Sequence, residues 1–209
     1  MKKLLIAFVL SFFAMSVFAA DFEEGIHYRE LLEKQPTRTG DKVEVLELFW
    51  YACPHCYDLE EPLQRWKANI PANAEFVAIP AILRPNWEFH AKVYYAFEAL
   101  GVLDQFHEAM FKAYHEQGEK HFKPEPVAMW VEKNGGPSKQ EFMDVFESFA
   151  VDTGARNSHV LGQRYDISGV PSVVVGGKYL TSPVMAGNHD KLFQVVDFLI
   201  KKVRSESDS

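Results

Sequence analysis

Two cysteines occur in the 209 residues, and they stand three positions apart as Cys53-Pro54-His55-Cys56. Thiols at that spacing can close a disulfide and reopen it, which moves two electrons through sulfur. Exchange of this kind needs a thiolate as the attacking group. At a helix start, free backbone N–H groups and the helix dipole favour an anion and lower a thiol pKa. Pro54 suits the first helical position, where its missing N–H removes no bond. His55 offers a cation or a hydrogen-bond donor beside the sulfur. Cys56, one turn on, reads as the less exposed, resolving thiol. Two other readings stay open on the residues alone, a structural disulfide and half of a zinc site. The zinc reading lacks a second cysteine pair to complete four ligands.

Glu47 is the next residue with chemistry in it. It lies six residues before Cys53, on a segment that reads as a buried strand, and shares a face with Val45 and Phe49. An ionised carboxylate buried without a partner is costly, so its pKa should rise. It can then accept and return the proton that Cys56 must shed; a carboxyl that merely meets a cavity water or a lysine is the alternative. Val170-Pro171 precedes a third strand-like run. A proline may open a strand, and sequence physics leaves the isomer of its peptide bond open. The eight histidines show no His-x-x-x-His pattern, and His107 and His115 share a helix face only roughly, so no metal site is expected. Gly135-Gly136 lacks the Lys-Ser/Thr of a phosphate cradle.

The elements that must hold these groups follow from periodicity. Val43–Tyr51 is apolar almost throughout, as a central strand covered on both faces would be. Pro54–Ile70 reads as a helix that Pro62 should kink or split. Ala74–Ala81 is a second strand. The pattern then turns helical: Trp87–Leu100, a stretch with Leu103, Phe106, Met110 and Ala113, and a short helix around Val127, Trp130 and Val131. Ser138 and Glu141 form a capping box for a helix whose apolar face is Phe142, Val145, Phe146 and Phe149. A further helix covers about Val151 to Tyr165. Strand character returns at Ser172–Val175, followed by a two-residue Gly176-Gly177 hairpin turn and a return strand Lys178–Thr181. A last helix starts at Asn188. Strands resume after the helical block, which favours one interrupted domain over two sequential ones. The fold class is α/β, a thioredoxin fold with an inserted all-helical domain. A Cys-x-x-Cys pair at a strand-to-helix turn is the redox arrangement of that fold.

The chain opens with Lys2, Lys3, an apolar run Leu4–Phe18 and the small residues of Val17-Phe18-Ala19, the pattern of an export signal cut after Ala19. The run is short for a membrane anchor, which needs ~20 residues. The expected divisions are a signal peptide at 1–19, thioredoxin-like parts at 20–85 and 159–209, and the helical insertion at 86–158. Without Lys2 and Lys3 the balance is 20 basic to 29 acidic side chains. Such a chain is a poor nucleic-acid binder. An exported protein with a single Cys pair at this spacing uses the pair rather than being stapled by it.

Val45-Leu46-Glu47 leading into Cys53-Pro54-His55-Cys56-Tyr57, with Gly169-Val170-Pro171 leading into Gly177-Lys178-Tyr179, resembles the DsbA family of exported bacterial thiol:disulfide oxidoreductases. The resemblance spans essentially the whole mature chain, though the helical insertion matches in pattern more than in residues. It implies a periplasmic monomer that donates a disulfide to unfolded exported proteins and is re-oxidised by a DsbB-like membrane quinone reductase, with no cofactor of its own. It implies that Cys53 carries the mixed disulfide, Cys56 resolves, His55 stabilises the thiolate, and Glu47 is the buried acid. It also implies that Val170 and Pro171 form a substrate-facing loop whose proline is cis. The alternatives are a reductase or isomerase on the same fold, and a non-enzymatic exported chaperone or metal carrier.

Overall fold

In a computed structural model, the structure describes residues Phe22–Ser207. The expected signal peptide at 1–19 lies outside the described residues. Among the described residues, no helix is long and apolar enough to cross a membrane.

A mixed five-stranded sheet forms the base, in the order β1-β5-β4-β2-β3. Its strands are β1 (Arg29–Glu30), β2 (Val43–Phe49), β3 (Ala74–Pro80), β4 (Ser172–Val175) and β5 (Tyr179–Thr181). β2 pairs in parallel with β3 and antiparallel with β4, so it is an interior strand paired on both sides. Every residue of β2 is buried, which is why, apart from Glu44 and Glu47, it is apolar. The strand stops at Phe49, leaving Trp50 and Tyr51 in the connection to the redox helix. One face, carrying Val45, Val173 and Val175, packs on Leu59 and Leu63 of helix α1 (Pro54–Lys67) and on Leu192, Val196 and Leu199 of α8 (His189–Ser207). The other face, carrying Leu46, Leu48 and Val174, packs on Tyr165 and Ile167.

Between β3 and β4 lie α2 (Glu88–Ala99), α3 (Leu103–His115), α4 (Pro124–Lys133), α5 (Lys139–Phe146) and α6 (Phe149–Arg164). A single 3₁₀ turn, Pro85–Trp87, leads into them. The residue expected to close the insertion, at 158, falls inside α6. A short helix α7 (Pro183–Ala186) and the two-residue β1 had no clear periodicity in the sequence.

Several expectations are corrected. Pro62 does not split α1, which runs unbroken from Pro54 and ends at Lys67 rather than Ile70. The bond Pro62 cannot donate would go to the carbonyl of exposed Asp58, where water can serve it. Burial of Leu59, Leu63 and Trp66 holds the helix across that point. Phe149 is not on the apolar face of α5. Ser148 accepts a hydrogen bond from Val151 N–H and starts a new helix, so the periodicity resets and Phe149 is 80 % exposed. The Ser138–Glu141 capping box forms as expected.

The hairpin is also longer than expected. Val175 pairs with Tyr179, so Lys178 belongs to the turn with Gly176 and Gly177. Both glycines have positive φ, +60° and +64°. At Gly177 the backbone is approached by Gln35, whose N–H donates to the Gly177 carbonyl at 2.8 Å. A Cβ there would sit 2.2 Å from the Gln35 carbonyl oxygen. Gly177→Ala therefore combines a strained φ with a backbone clash, and is expected to cost roughly 2–4 kcal/mol. Urea unfolding of the variant checks this, and a loss below about 0.5 kcal/mol would contradict it.

Candidate active site

The end of β2 and the start of α1 set the redox pair. Cys53 is the N-cap of α1, with extended backbone at φ −87° and ψ 116°, and Pro54 takes the first helical position. The Cys53 carbonyl accepts from the N–H groups of Cys56 and Tyr57, both at 3.1 Å, which closes the first turn. That turn brings the second sulfur back to the first, and the Cys56 thiol hydrogen-bonds the Cys53 sulfur. The two cysteines are not joined in a disulfide, so the site is in its reduced form. Cys53 is 8 % exposed and Cys56 is fully buried.

These positions drive the two thiols apart in acidity. The hydrogen bond from Cys56 is the main cause that lowers Cys53, from an ordinary 9.0 to about 6. Burial opposes it, and the approaching amides of Cys56 and His55 and then the His55 charge add smaller help. No backbone N–H closes a full capping bond onto the sulfur. His55 is therefore a minor contributor: its ring is 76 % exposed and lies 3.9 Å from Asp58. Cys56 moves the other way, pushed well above a normal thiol by burial first and by the neighbouring Cys53 next. The arrangement holds one thiolate and one protonated thiol at neutral pH.

Glu47 sits under α1, where sequence placed it. Its strand neighbours are Ala78 on β3 and Val173 on β4, so no cation pairs with it across the sheet. Neither carboxyl oxygen has a hydrogen-bond partner. Burial pushes its pKa well above the usual range, and Glu60 pushes it further. Glu60 was missed in the sequence. It falls between Cys56 and Leu63 on the buried stripe of α1, and a carboxylate in an apolar helix stripe is the signal that could have found it. Its oxygens also lack partners, and burial raises it to about 7. Beyond Glu60 opens a cavity of about 500 Å³ lined by Gln64, Lys67, Tyr94, His107 and Glu108.

On the other side of Cys53 stands the Val170-Pro171 bond, which is cis. The Cys53 thiol donates to the Val170 carbonyl at 3.5 Å. Val170 and Pro171 also line a groove of about 680 Å³ with His55, Leu180, Val184 and Met185. The helical block closes over the pair from above: Cys53 and Cys56 share one apolar cluster with Phe49, Tyr51, Phe97 and Phe111. His107 and His115 are spent here on Tyr51. His107 meets its hydroxyl at 2.9 Å and His115 Nε2 its carbonyl at 2.8 Å. All seven residues expected at the site converge on the N-terminus of α1.

A strand-ended Cys-x-x-Cys on a helix start, opposite a cis-proline and within a mixed sheet of this order, defines a thioredoxin-fold thiol:disulfide oxidoreductase. A family model, the DSBA-like thioredoxin domain, matches residues 44–199. The chain is 34 % identical over 208 residues to the thiol:disulfide interchange protein DsbA of Pseudomonas aeruginosa, covering 98 % of each chain. It is 36 % identical over 213 residues to the DsbA of Azotobacter vinelandii, covering 98 % of this chain and 99 % of that one. The crystal structure of Pseudomonas aeruginosa DsbA superposes with a TM-score of 0.84 over 90 % of this chain and 97 % of that one, at 34 % identity. The oxidoreductase DsbA from Xylella fastidiosa gives 0.79 over 86 % and 96 %, at 27 % identity. The chain belongs to the DsbA family. It is a thiol:disulfide oxidoreductase of the disulfide-oxidase kind.

Proposed function

We propose that Cys53 and Cys56 are the transferred disulfide, that the clients are unfolded proteins newly exported to the periplasm, and that a DsbB-like quinone reductase in the membrane restores the pair. A client thiolate attacks Sγ of Cys53, the Cys53–Cys56 bond breaks, and its electron pair goes to Cys56. Cys56 takes a proton, for which Glu47, kept protonated by burial, is the donor. A second client thiolate then attacks the client sulfur of the mixed disulfide, and Cys53 leaves as a thiolate. On re-oxidation Cys56 must lose its proton again, and Glu47 accepts it. Glu60 and the cavity beside it give that proton a way to water. Val170 and Pro171 take the client backbone beside the sulfur.

The observation that carries this reading is the placement of the two sulfurs, Cys53 at the N-cap of α1 beside the cis Val170-Pro171 bond and Cys56 fully buried one turn on, which sets their acidities apart. A leaving group already comfortable as an anion makes the disulfide a good electron acceptor. Because folding lowers the Cys53 pKa, the reduced folded form gains stability as the pH rises from about 6 towards 9.0, and the gain is lost as the pH falls through about 6. The test is the ultraviolet absorbance of the thiolate in the reduced protein as pH is varied. The midpoint is expected near pH 6, and one near the ~8.5 of a free thiol would sink the reading. Equilibration with glutathione checks direction: a pair as reducing as a thioredoxin would be a reductase.

A further inference from the structure

A second cleft meets Cys53. Its volume is about 490 Å³, and unlike the Val170–Met185 groove it is lined by Cys53 itself, with Trp50, Leu83, Arg84 and Trp87. The two share the segment 168–170 as a common wall. Its floor is rigid: the indoles of Trp50 and Trp87 stack with centroids 4.3 Å apart and planes 5° from parallel. Trp50 Nε1 donates to Nδ1 of His90 at 3.0 Å, and His90 is fully buried in an aromatic surround of Tyr114 and Phe122. The stack is thus fixed from behind while one flank remains open.

Leu83 and Arg84 also line a third hollow of about 490 Å³, together with Ile82, Pro85, Arg156, His159 and Val160. Its walls are apolar and its rim is basic, on a chain whose formal charge is −7. Arg84 is exposed and has no ion-pair partner among the described residues. Arg156 hydrogen-bonds only the Thr153 hydroxyl, at 2.9 Å, and lies 5.5 Å over Phe149. His159 is committed to the Ile82 carbonyl and Gln163, which leaves the two arginines to face a ligand. Glu88 is the one carboxylate on the rim.

We propose that these two neighbouring hollows together form a limb, from Cys53 over the Trp50–Trp87 stack to Arg84 and Arg156, that binds an extended client segment and selects an apolar or aromatic residue beside the client cysteine with an acidic residue farther along. The inference rests on the oxidase reading and adds a preference among clients to it. Three features favour a polypeptide occupant. The limb begins at the attacked sulfur. Its stacked indoles offer a flat apolar face of the kind that aromatic side chains pack on. Neither arginine has an ion-pair partner among the described residues, and a guanidinium matches a carboxylate.

The test uses the oxidised full chain and two reduced peptides. Each has a cysteine pair with phenylalanine beside the first cysteine. One carries two aspartates beyond it and the other two lysines, with versions placing the charges on either side of the cysteine. The wild type is expected to oxidise the acidic peptide about 5-fold faster in kcat/KM or more at low ionic strength, with the difference shrinking as salt screens it. The Arg84→Glu/Arg156→Glu double variant is expected to invert the ratio, and Trp87→Ala to slow both phenylalanine peptides against alanine-substituted ones. The readout is a ratio, so a variant damaged as a whole lowers both arms and keeps the wild-type ratio. An unchanged ratio in the double variant overturns the proposal. A wild type that oxidises both peptides equally also overturns it, whereas one that oxidises neither brings down the oxidase reading itself.

Discussion

Cys53→Ser is expected to lower disulfide transfer to a reduced, unfolded client by roughly 10³-fold or more, to the background rate. The chain holds two cysteines, and the one that remains cannot stand in for the one removed. Cys56 is fully buried and its thiol is pushed well above the ordinary range, so at neutral pH it is neither reachable nor ionised. Serine at 53 keeps the helix cap and the shape of the site, which separates loss of chemistry from loss of fold. The partner experiment sharpens the point. Cys56→Ser also stops turnover, but its Cys53 thiolate can still attack the disulfide of an already oxidised client and expel the client's other cysteine as a thiolate, so with such a client it should accumulate mixed disulfides visible by mass spectrometry. If Cys53→Ser keeps a tenth of the wild-type rate, the assignment of Cys53 as the attacked sulfur is wrong.

Glu47→Leu is expected to raise the stability of the protein by about 1–3 kcal/mol at neutral pH while slowing re-oxidation. The carboxyl is 1 % exposed, its oxygens have no hydrogen-bond partner, and Ala78 and Val173 flank it. Leucine of similar volume would fill the same space between Val45 and Phe49. The sign with pH follows from the raised pKa. The folded state holds a proton that the unfolded chain releases above about 4.5. Wild-type stability therefore falls as pH rises, by up to about 1.4 kcal/mol per pH unit, until the folded group itself ionises. The advantage of the leucine variant should be small near pH 4 and grow above it. Glu60, raised to about 7, adds to the same trend in both proteins. Urea unfolding at a series of pH values measures this. A variant less stable than wild type at pH 7 would mean that an unseen partner stabilises the Glu47 carboxylate.

Much of the site was legible because its chemistry is local. Cys53, Pro54 and Cys56 sit within one turn, and the spacing alone puts a thiol at a helix start. Glu47 could be placed because β2 is covered on both faces, which makes a carboxylate in mid-strand an anomaly. What escaped depends on contacts between distant segments. Glu60 has only its place on the apolar stripe of α1 to mark it, and its neighbours Tyr94, His107 and Glu108 come from the distant helical block. The Trp50–His90 bond joins residues 40 apart. Pro62 and Phe149 misled in opposite directions: tertiary packing overrode a helix breaker in one case, and a serine cap overrode apolar periodicity in the other. Lys178 reads as strand by composition, yet the approach of Gln35 to Gly177 draws it into the turn.

Both sulfurs lie in the apolar cluster that the helical block makes with Phe49 and Tyr51, and that burial governs time as well as acidity. Once a client is tethered to Cys53, the quickest way to lose it is backward attack by Cys56. A Cys56 kept dry and protonated attacks slowly. The dwell time of the tethered client is thereby lengthened, and the client's own chain can diffuse until its second cysteine arrives. Water admitted beside Tyr51 is expected to shorten that wait and release clients unfinished.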